Sequence, residues 1–260
     1  MLKLDLFNFE NSTMENPFIS IILPVFNASD YLDKCLDSIS KQNFKSFEIL
    51  IIHRIINNET IDVIAKKHDD LPIKIIQTQK AGIYKAMNIG CENAAGNWFV
   101  FLGQDDQLAN SDTFSNVFKS LKNSHGGIAL GCVEIIEKKS WLVPSFYTNR
   151  VTPLIYVKNT LHHQGIIYHS SIFNKIKYDE DLNVLADYKL NLELIKKKTI
   201  VIRLNFLISK CNGTGISKKF TKSLYAEERK IKKSLFHPVI YLILAFFITI
   251  KQFIKTSLSN

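Results

Sequence analysis

Short apolar runs alternate with amphipathic stretches through the first half of the chain. Residues 18–25 (FISIILPV) form a β-branched apolar run closed by Pro24, short enough for a strand buried on both faces. Leu32, Cys35, Leu36 and Ile39 then recur at helical spacing behind Ser29 or Asp30, either of which can cap a helix. The alternation repeats. Residues 47–52 read as a strand, 60–67 as a short helix on Ile61, Ile64 and Ala65, and 73–78 as another strand. Residues 83–95 keep helical period through Ile83, Ala86, Met87, Cys91 and Ala94, and 97–102 form an aromatic-rich strand ending at Gly103. This order predicts an α/β fold around a central, mostly parallel sheet.

Past Thr113 the regularity weakens. A helix over 114–121 and a strand over 128–136 are followed by irregular sequence holding Trp141, Pro144 and Pro153, where acceptor-side structure is expected. Asp187 begins a helical stretch with Leu190, Leu194 and Ile195 on one side, and 199–208 is a strongly β-branched final strand.

A chain of 260 residues, 46% hydrophobic and 22% charged, has material for one main domain plus a tail. The net charge of +9 suits nucleic acid, an anionic membrane or a phosphorylated substrate, so its location decides. Lys218, Lys219, Lys222, Arg229, Lys230, Lys232 and Lys233 cluster against Glu227 and Glu228, directly before the apolar run 239–250 (VIYLILAFFITI). No aromatic-interleaved reading surface accompanies them, which argues against nucleic acid. The run is shorter than the roughly 20 residues that span a bilayer. It reads best as a helix lying on an anionic membrane surface, with a buried core helix and a span that recruits flanking residues as alternatives. The expected organisation is an N-terminal extension over 1–16, a main domain over 17–217 and a basic, apolar helical tail over 218–260.

Cys35, Cys91, Cys132 and Cys211 are too scattered for a zinc knuckle or a secreted disulfide framework and read as reduced thiols. The first sixteen residues lack the basic start and apolar core of a signal peptide, so the body is expected on the cytosolic side.

Asp105 and Asp106 follow the strand that ends at Gly103, where ligands gather in open α/β sheets. Adjacent acids there can hold a divalent ion beside phosphates; a solvated turn or helix cap is the plain alternative. Three segments fall in fixed order around them: PVFN at 24–27, AGIYKAMNIG at 81–90 and AAGNWFVFLGQDD at 94–106. HHQGIIYHSSIF at 162–173, LADYKLNLEL at 185–194 and GTGIS at 213–217 continue the set.

In these segments the chain resembles family 2 glycosyltransferases, and most closely the branch that builds bacterial surface polysaccharides such as capsule, colanic acid and O-antigen. The likeness covers roughly 18–217. It implies a GT-A-like, Rossmann-type nucleotide-binding domain that holds a nucleotide-diphosphate sugar. The pocket it implies draws on Pro24, Phe26, Asn27, His53, Arg54, Lys85, Asn88 and Asp105. It further implies a divalent metal, Mn2+ or Mg2+, on Asp105 and Asp106, with Asp106 the direct ligand, and Asp187 as the general base. Inversion at the anomeric carbon then follows from a single in-line displacement. As an N-cap on the following helix, Asp187 has a second, compatible reading. His163 with Gln164 is a candidate acceptor or phosphate contact, or an ordinary polar pair at a strand start. The implied acceptor is a glycan, lipid-linked at the cytoplasmic face of the inner membrane, where a peripheral enzyme would meet it.

Two departures stand out. The family commonly has an acidic, Gly- and Ser-containing turn after the second strand, and this chain has HRIINNET, with His53 and Arg54 where acids would stand. Lys85 replaces an acid in the GIYDAMN-like segment. Arg54 and Lys85 can both serve phosphates, but acceptance from a uracil N–H by a carboxylate is lost there. A degenerate binding or scaffold subunit is therefore the alternative, and retention of Asp105, Asp106 and Asp187 argues against it.

Overall fold

A computed structural model of the chain describes residues 16–26, 30–54, 70–79, 81–137, 144–213 and 221–258. The helix expected over 60–67 lies outside the described residues, as do Asn27, Ser29, Trp141, Lys218 and Lys219.

Strand β1 (Ile19–Val25) is followed by α1 (Asp30–Ser40), β2 (Phe47–His53), β3 (Ile73–Gln77), α2 (Ile83–Asn93) and β4 (Trp98–Phe101). Next come β5 (Gln107–Leu108), α3 (Thr113–Leu121), β6 (Ile128–Ile136), β7 (Phe146–Thr148), β8 (Ile166–His169), α4 (Ala186–Lys196) and β9 (Val201–Asn212). Helices α5 (Lys222–Leu235) and α6 (Pro238–Leu258) close the chain.

One sheet runs β3-β2-β1-β4-β8-β6-β9-β5, with β7 added on β6. Its first four strands are parallel. Beyond β4 the sheet is mixed: β8 is antiparallel to both β4 and β6, whereas β9 is parallel to β6. A 3-10 turn, His163–Gly165, leads directly into β8.

Alternate side chains of β1 enter different layers, as a strand buried on both faces requires. Ile19, Ile21 and Leu23 pack with Leu32, Leu36 and Ile39 of α1 and with Phe114 and Val117 of α3. Ile22, Phe99 and Phe101 face the other layer, with Met87 of α2 and Tyr188 and Leu192 of α4. Gly90 lets α2 lie close on the sheet: a Cβ there would stand 2.5 Å from Ile22 Cγ2. All four cysteines are free thiols.

The C-terminal helices form an antiparallel hairpin. Basic as it is, α5 sends Leu224, Tyr225 and Ile231 into the same core layer as α2 and α4. The first helix of the basic tail thus packs on the main domain. Its Lys232 is fully buried and donates to Glu228 at 2.8 Å and to the Val157 carbonyl at 2.6 Å, so the buried charge is both paired and hydrogen-bonded. Lys251 of α6 reaches the same Glu228 at 2.6 Å, and Arg229 donates to Gln252 at 2.9 Å.

α6 buries Leu244 and Ile248 and leaves Leu242, Phe246 and Phe253 between 64% and 73% exposed. Judging its length from 239–250 alone undercounts the helix, because it continues through Lys251 to Leu258. Over Pro238–Thr256 the mean hydropathy is 1.7, long and apolar enough to cross a bilayer by length and composition.

Candidate functional site

The parallel strands β1 to β4 end along one edge of the sheet, where Val25 pairs with His53 and His53 with Gln77. Loops after these ends supply the candidate residues, as expected for an open α/β sheet.

After β4 the chain turns sharply through Gly103 to Asp106. The Asp106 N–H donates to the Gly103 carbonyl at 3.1 Å, and the Gly103 N–H donates to Asp106 Oδ2 at 2.8 Å. The Gln164 amide also donates to Oδ2, at 2.9 Å. Asp106 is buried, and burial, with the Asp105 charge as a second cause, pushes its carboxyl up to about 6; the Gly103, Cys211 and Gln164 hydrogen bonds pull it back. Asp105 is half-buried.

Both carboxylates turn toward Gly103. A Cβ placed there would stand 2.9 Å from Asp105 Oδ1 and 2.9 Å from Asp106 Oδ2, so any larger residue would fill the space between them. Two neighbouring carboxylates just past the end of β4, one of them buried, are chemically suited to a hard divalent cation. Among the described residues no third His, Cys, Asp or Glu joins them, so the remaining ligands would come from phosphate and water. Behind the turn, burial and then the charges of Asp106 and Asp105 hold the Cys35 thiol protonated, far above the usual thiol range.

Asp187 lies in the first turn of α4, and the cap position itself is Leu185 with no side-chain cap bond, so the N-cap reading does not describe it. Tyr84, in the first turn of α2, donates to Asp187 Oδ1 at 3.2 Å and to the Val184 carbonyl at 2.6 Å. Burial pushes the Asp187 carboxyl up to about 6, against backbone N–H groups of its own turn and the Tyr84 hydroxyl, with Glu227 adding a smaller upward push. Because α2 begins at the edge where β3 ends, Tyr84 brings Asp187 to the same side of the sheet as the Asp105–Asp106 turn.

Residues 20–182 match the sequence profile described as glycosyl transferase family 2. The chain belongs to that family. It is a glycosyltransferase. A PGL/p-HBAD biosynthesis glycosyltransferase of Mycobacterium tuberculosis is 29% identical over 222 residues, which is 81% of this chain and 85% of that protein. A Methanococcus voltae dolichyl N-acetyl-α-D-glucosaminyl phosphate 3-β-D-2,3-diacetamido-2,3-dideoxy-β-D-glucuronosyltransferase is 29% identical over 79% of this chain and 70% of its own.

Among solved structures, Staphylococcus aureus TarS 1-349 in complex with UDP-GlcNAc superposes with a TM-score of 0.66 at 20% identity, over 87% of this chain and 70% of that chain. Against a longer TarS chain the match spans 38% of the length. The mannosyltransferase PcManGT of Pyrobaculum calidifontis, in complex with GDP-Man and Mn2+, gives 0.57 at 16% identity over 91% and 65%. These likenesses establish the GT-A-like fold.

Within this glycosyltransferase the remaining candidates divide. Phe26 follows β1 and is 75% exposed, and its N–H donates to Gln104 Oε1 at 3.0 Å, tying the PVFN segment to the turn that carries the two acids. Pro24 and Lys85 are half-buried, His53 is buried and Arg54 is exposed. Burial lowers the His53 imidazole. Asn27 lies outside the described residues.

Asn88 sits elsewhere. Its amide donates to the Tyr178 carbonyl and to Glu180, each at 3.0 Å, and accepts the Tyr178 N–H at 2.9 Å, so both its donors are spent on clasping a loop. His163 also departs from expectation. Its ring packs 5.2 Å from Phe101 and 6.0 Å from Tyr178, both ring nitrogens are buried, and burial drops the imidazole to about 4. The 3-10 turn directs it inward, leaving its neighbour Gln164 to contact the site. Tyr84 and Gln104 were not singled out in the sequence, although both lie inside the segments that carry the resemblance.

Proposed function

We propose that the protein is an inverting, divalent-metal-assisted glycosyltransferase that moves a sugar from a nucleoside-diphosphate sugar to a hydroxyl of a lipid-linked glycan in bacterial surface-polysaccharide synthesis. The observation that carries the reading is the presence of two neighbouring carboxylates, Asp105 and Asp106, just past the end of β4, together with a separate carboxylate raised to about 6 and held by Tyr84. The first suits a leaving diphosphate and the second suits a base.

In this reading Asp187 accepts the proton of the acceptor hydroxyl as that oxygen bonds to the anomeric carbon. The bond from that carbon to the diphosphate oxygen breaks on the opposite face, and the nucleoside diphosphate departs with the electron pair. Asp105 and Asp106 would hold Mn2+ or Mg2+, which neutralises charge on the leaving diphosphate when bound. Arg54 and Lys85 supply further positive charge to the phosphates. Support comes from the structurally similar transferases solved in complex with UDP-GlcNAc and with GDP-Man and Mn2+. The archaeal relative, whose name specifies a dolichyl-linked sugar phosphate, supports a lipid-linked acceptor.

The test is a panel of nucleotide sugars scored by release of nucleoside diphosphate with Mn2+ or Mg2+, then with chelator. Metal-dependent release from one donor is expected. Neither turnover nor nucleotide binding across the panel would favour a non-catalytic scaffold subunit instead.

The transferase domain is taken as 17–217 and residues 218–260 as the membrane-associating part, peripheral on the cytoplasmic face. A spanning α6 would carry α5, with Arg229, Lys230 and Lys233, toward hydrocarbon at a cost of about 2.5 to 3.5 kcal/mol per central charge. Lying on the surface, α6 offers Leu242, Phe246 and Phe253 to the acyl boundary while α5 supplies positive charge. Flotation with phosphatidylglycerol-containing vesicles is expected to carry the protein up, and high salt or alkaline carbonate to release it. Serine at positions 242, 246 and 253 together should lower vesicle binding about tenfold or more. Resistance to carbonate would indicate a span.

A further inference from the structure

Glu227, half-buried on α5, makes an unusual set of bonds for a residue in a basic surface segment. Its Oε1 accepts the Asn183 N–H at 2.8 Å, and its Oε2 accepts the N–H groups of Val184 and Leu185, each at 3.0 Å. Three consecutive amides are thus gathered by one carboxylate immediately before the turn that carries Asp187. From the other side, Tyr84 holds the Val184 carbonyl and Asp187 Oδ1. The segment 183–187 is clamped between α2 and α5.

The clamp continues along the helix. At the other end of α5 the Leu235 carbonyl accepts from Lys196 of α4. The next two residues reach α6: Glu228 binds Lys251 and Arg229 binds Gln252. Three successive side chains therefore connect the segment before Asp187 to the helix with the exposed apolar face.

We propose that Glu227 is a positioning residue for the Asp187 segment, which makes the C-terminal hairpin part of the catalytic unit. The inference rests on Asp187 acting as the base. A loop of small amplitude tied to charge-assisted bonds keeps a reacting group within the narrow geometry that proton transfer needs, and a carboxylate bonded to several N–H groups is well suited to that task. It also fixes the height of Asp187 relative to the apolar face of α6, and hence relative to any hydroxyl presented at a membrane surface.

Two arms test it in the full chain. Hydrogen exchange, which needs no donor, is expected to show amides 183–185 exchanging about tenfold or more faster in Glu227→Ala, with β1 and β2 unchanged. With the donor identified by the panel, kcat is expected to fall about 10- to 100-fold in Glu227→Ala while donor Kd stays within about twofold. Glu227→Gln, which keeps one acceptor oxygen, should lose less. The groups facing Asp187 are Tyr84 of α2, Tyr168 of β8, Tyr178 of the adjoining loop and Glu227 of α5, and all three phenols are pushed upward, leaving Glu227 as the charge among them. Removing that charge in Glu227→Gln should move the acid limb of kcat/KM to lower pH, a shift that loss of packing alone would not produce.

Wild-type exchange at 183–185 in Glu227→Ala overturns the inference, and so do an unchanged kcat and an unchanged acid limb in a protein whose Asp187→Asn variant is inactive. Full activity in Asp187→Asn would instead remove the base reading, and the exchange arm would still judge the hold of Glu227 on the segment.

Discussion

Asp187→Asn is expected to lower kcat by about 10²- to 10⁴-fold, the range typical of a lost general base, with donor affinity changed by no more than about twofold. The substitution keeps size and an acceptor oxygen for the Tyr84 hydroxyl, so the contact at 3.2 Å survives and only proton acceptance is lost. In the wild type the carboxyl stands at about 6 because burial disfavours its charged form. A base must be deprotonated to act, so kcat/KM should rise with pH through about 6 and level off above it. The residual activity of the asparagine variant should lack that limb. Steady-state kinetics between pH 5 and 8 check both points, and an unchanged limb in the variant would assign it to another group.

Much of the site could be read from residue order because its chemistry lies at strand ends. A short continuous apolar run over residues 18–25 and an aromatic-rich run over 97–102 located β1 and β4, strands buried on both faces, and Asp105 and Asp106 follow β4 within a few residues. The legible part ends where side-chain direction depends on local backbone shape. His163 and Gln164 were read as an extended pair, yet a 3-10 turn reverses which of them meets the acids. Asn88 matched a segment that carries the resemblance, but its environment assigns the amide to the Tyr178 loop. Glu227 left no trace at all, since one acid among many lysines reads as a solvated charge. Its three partners are more than forty residues away in sequence. The length of α6 was missed for a related reason: Lys251 interrupts the apolar run, and its partners, Glu228 and the Tyr225 ring, become visible only in the fold.

Asp106→Asn is expected to reduce kcat by about 10²- to 10³-fold and to abolish stimulation by Mn2+ or Mg2+, since charge stabilisation at a leaving group is of that order. Its effect on stability should have the opposite sign. Asp106 is raised from 3.8 to about 6 in the folded chain, so the native state binds the proton more tightly than the unfolded state does. Stability from this group is therefore full below about pH 4 and is lost as pH rises through about 6. At pH 7 to 8 the metal-free wild type carries a buried carboxylate beside Asp105, and the neutral amide relieves it by about 1 to 3 kcal/mol. The variant should melt at a higher temperature than the wild type at pH 8 without metal, and the advantage should vanish near pH 4. Adding Mn2+ should raise the melting temperature of the wild type and leave the variant unmoved, because only the charged form gains by binding the ion. Thermal melts across this pH range, with and without metal, test the role of Asp106 before any donor is known. A variant less stable than the wild type at pH 8 would mean that the hydrogen bonds from Gly103 and Gln164, and not the cost of the buried charge, dominate the turn.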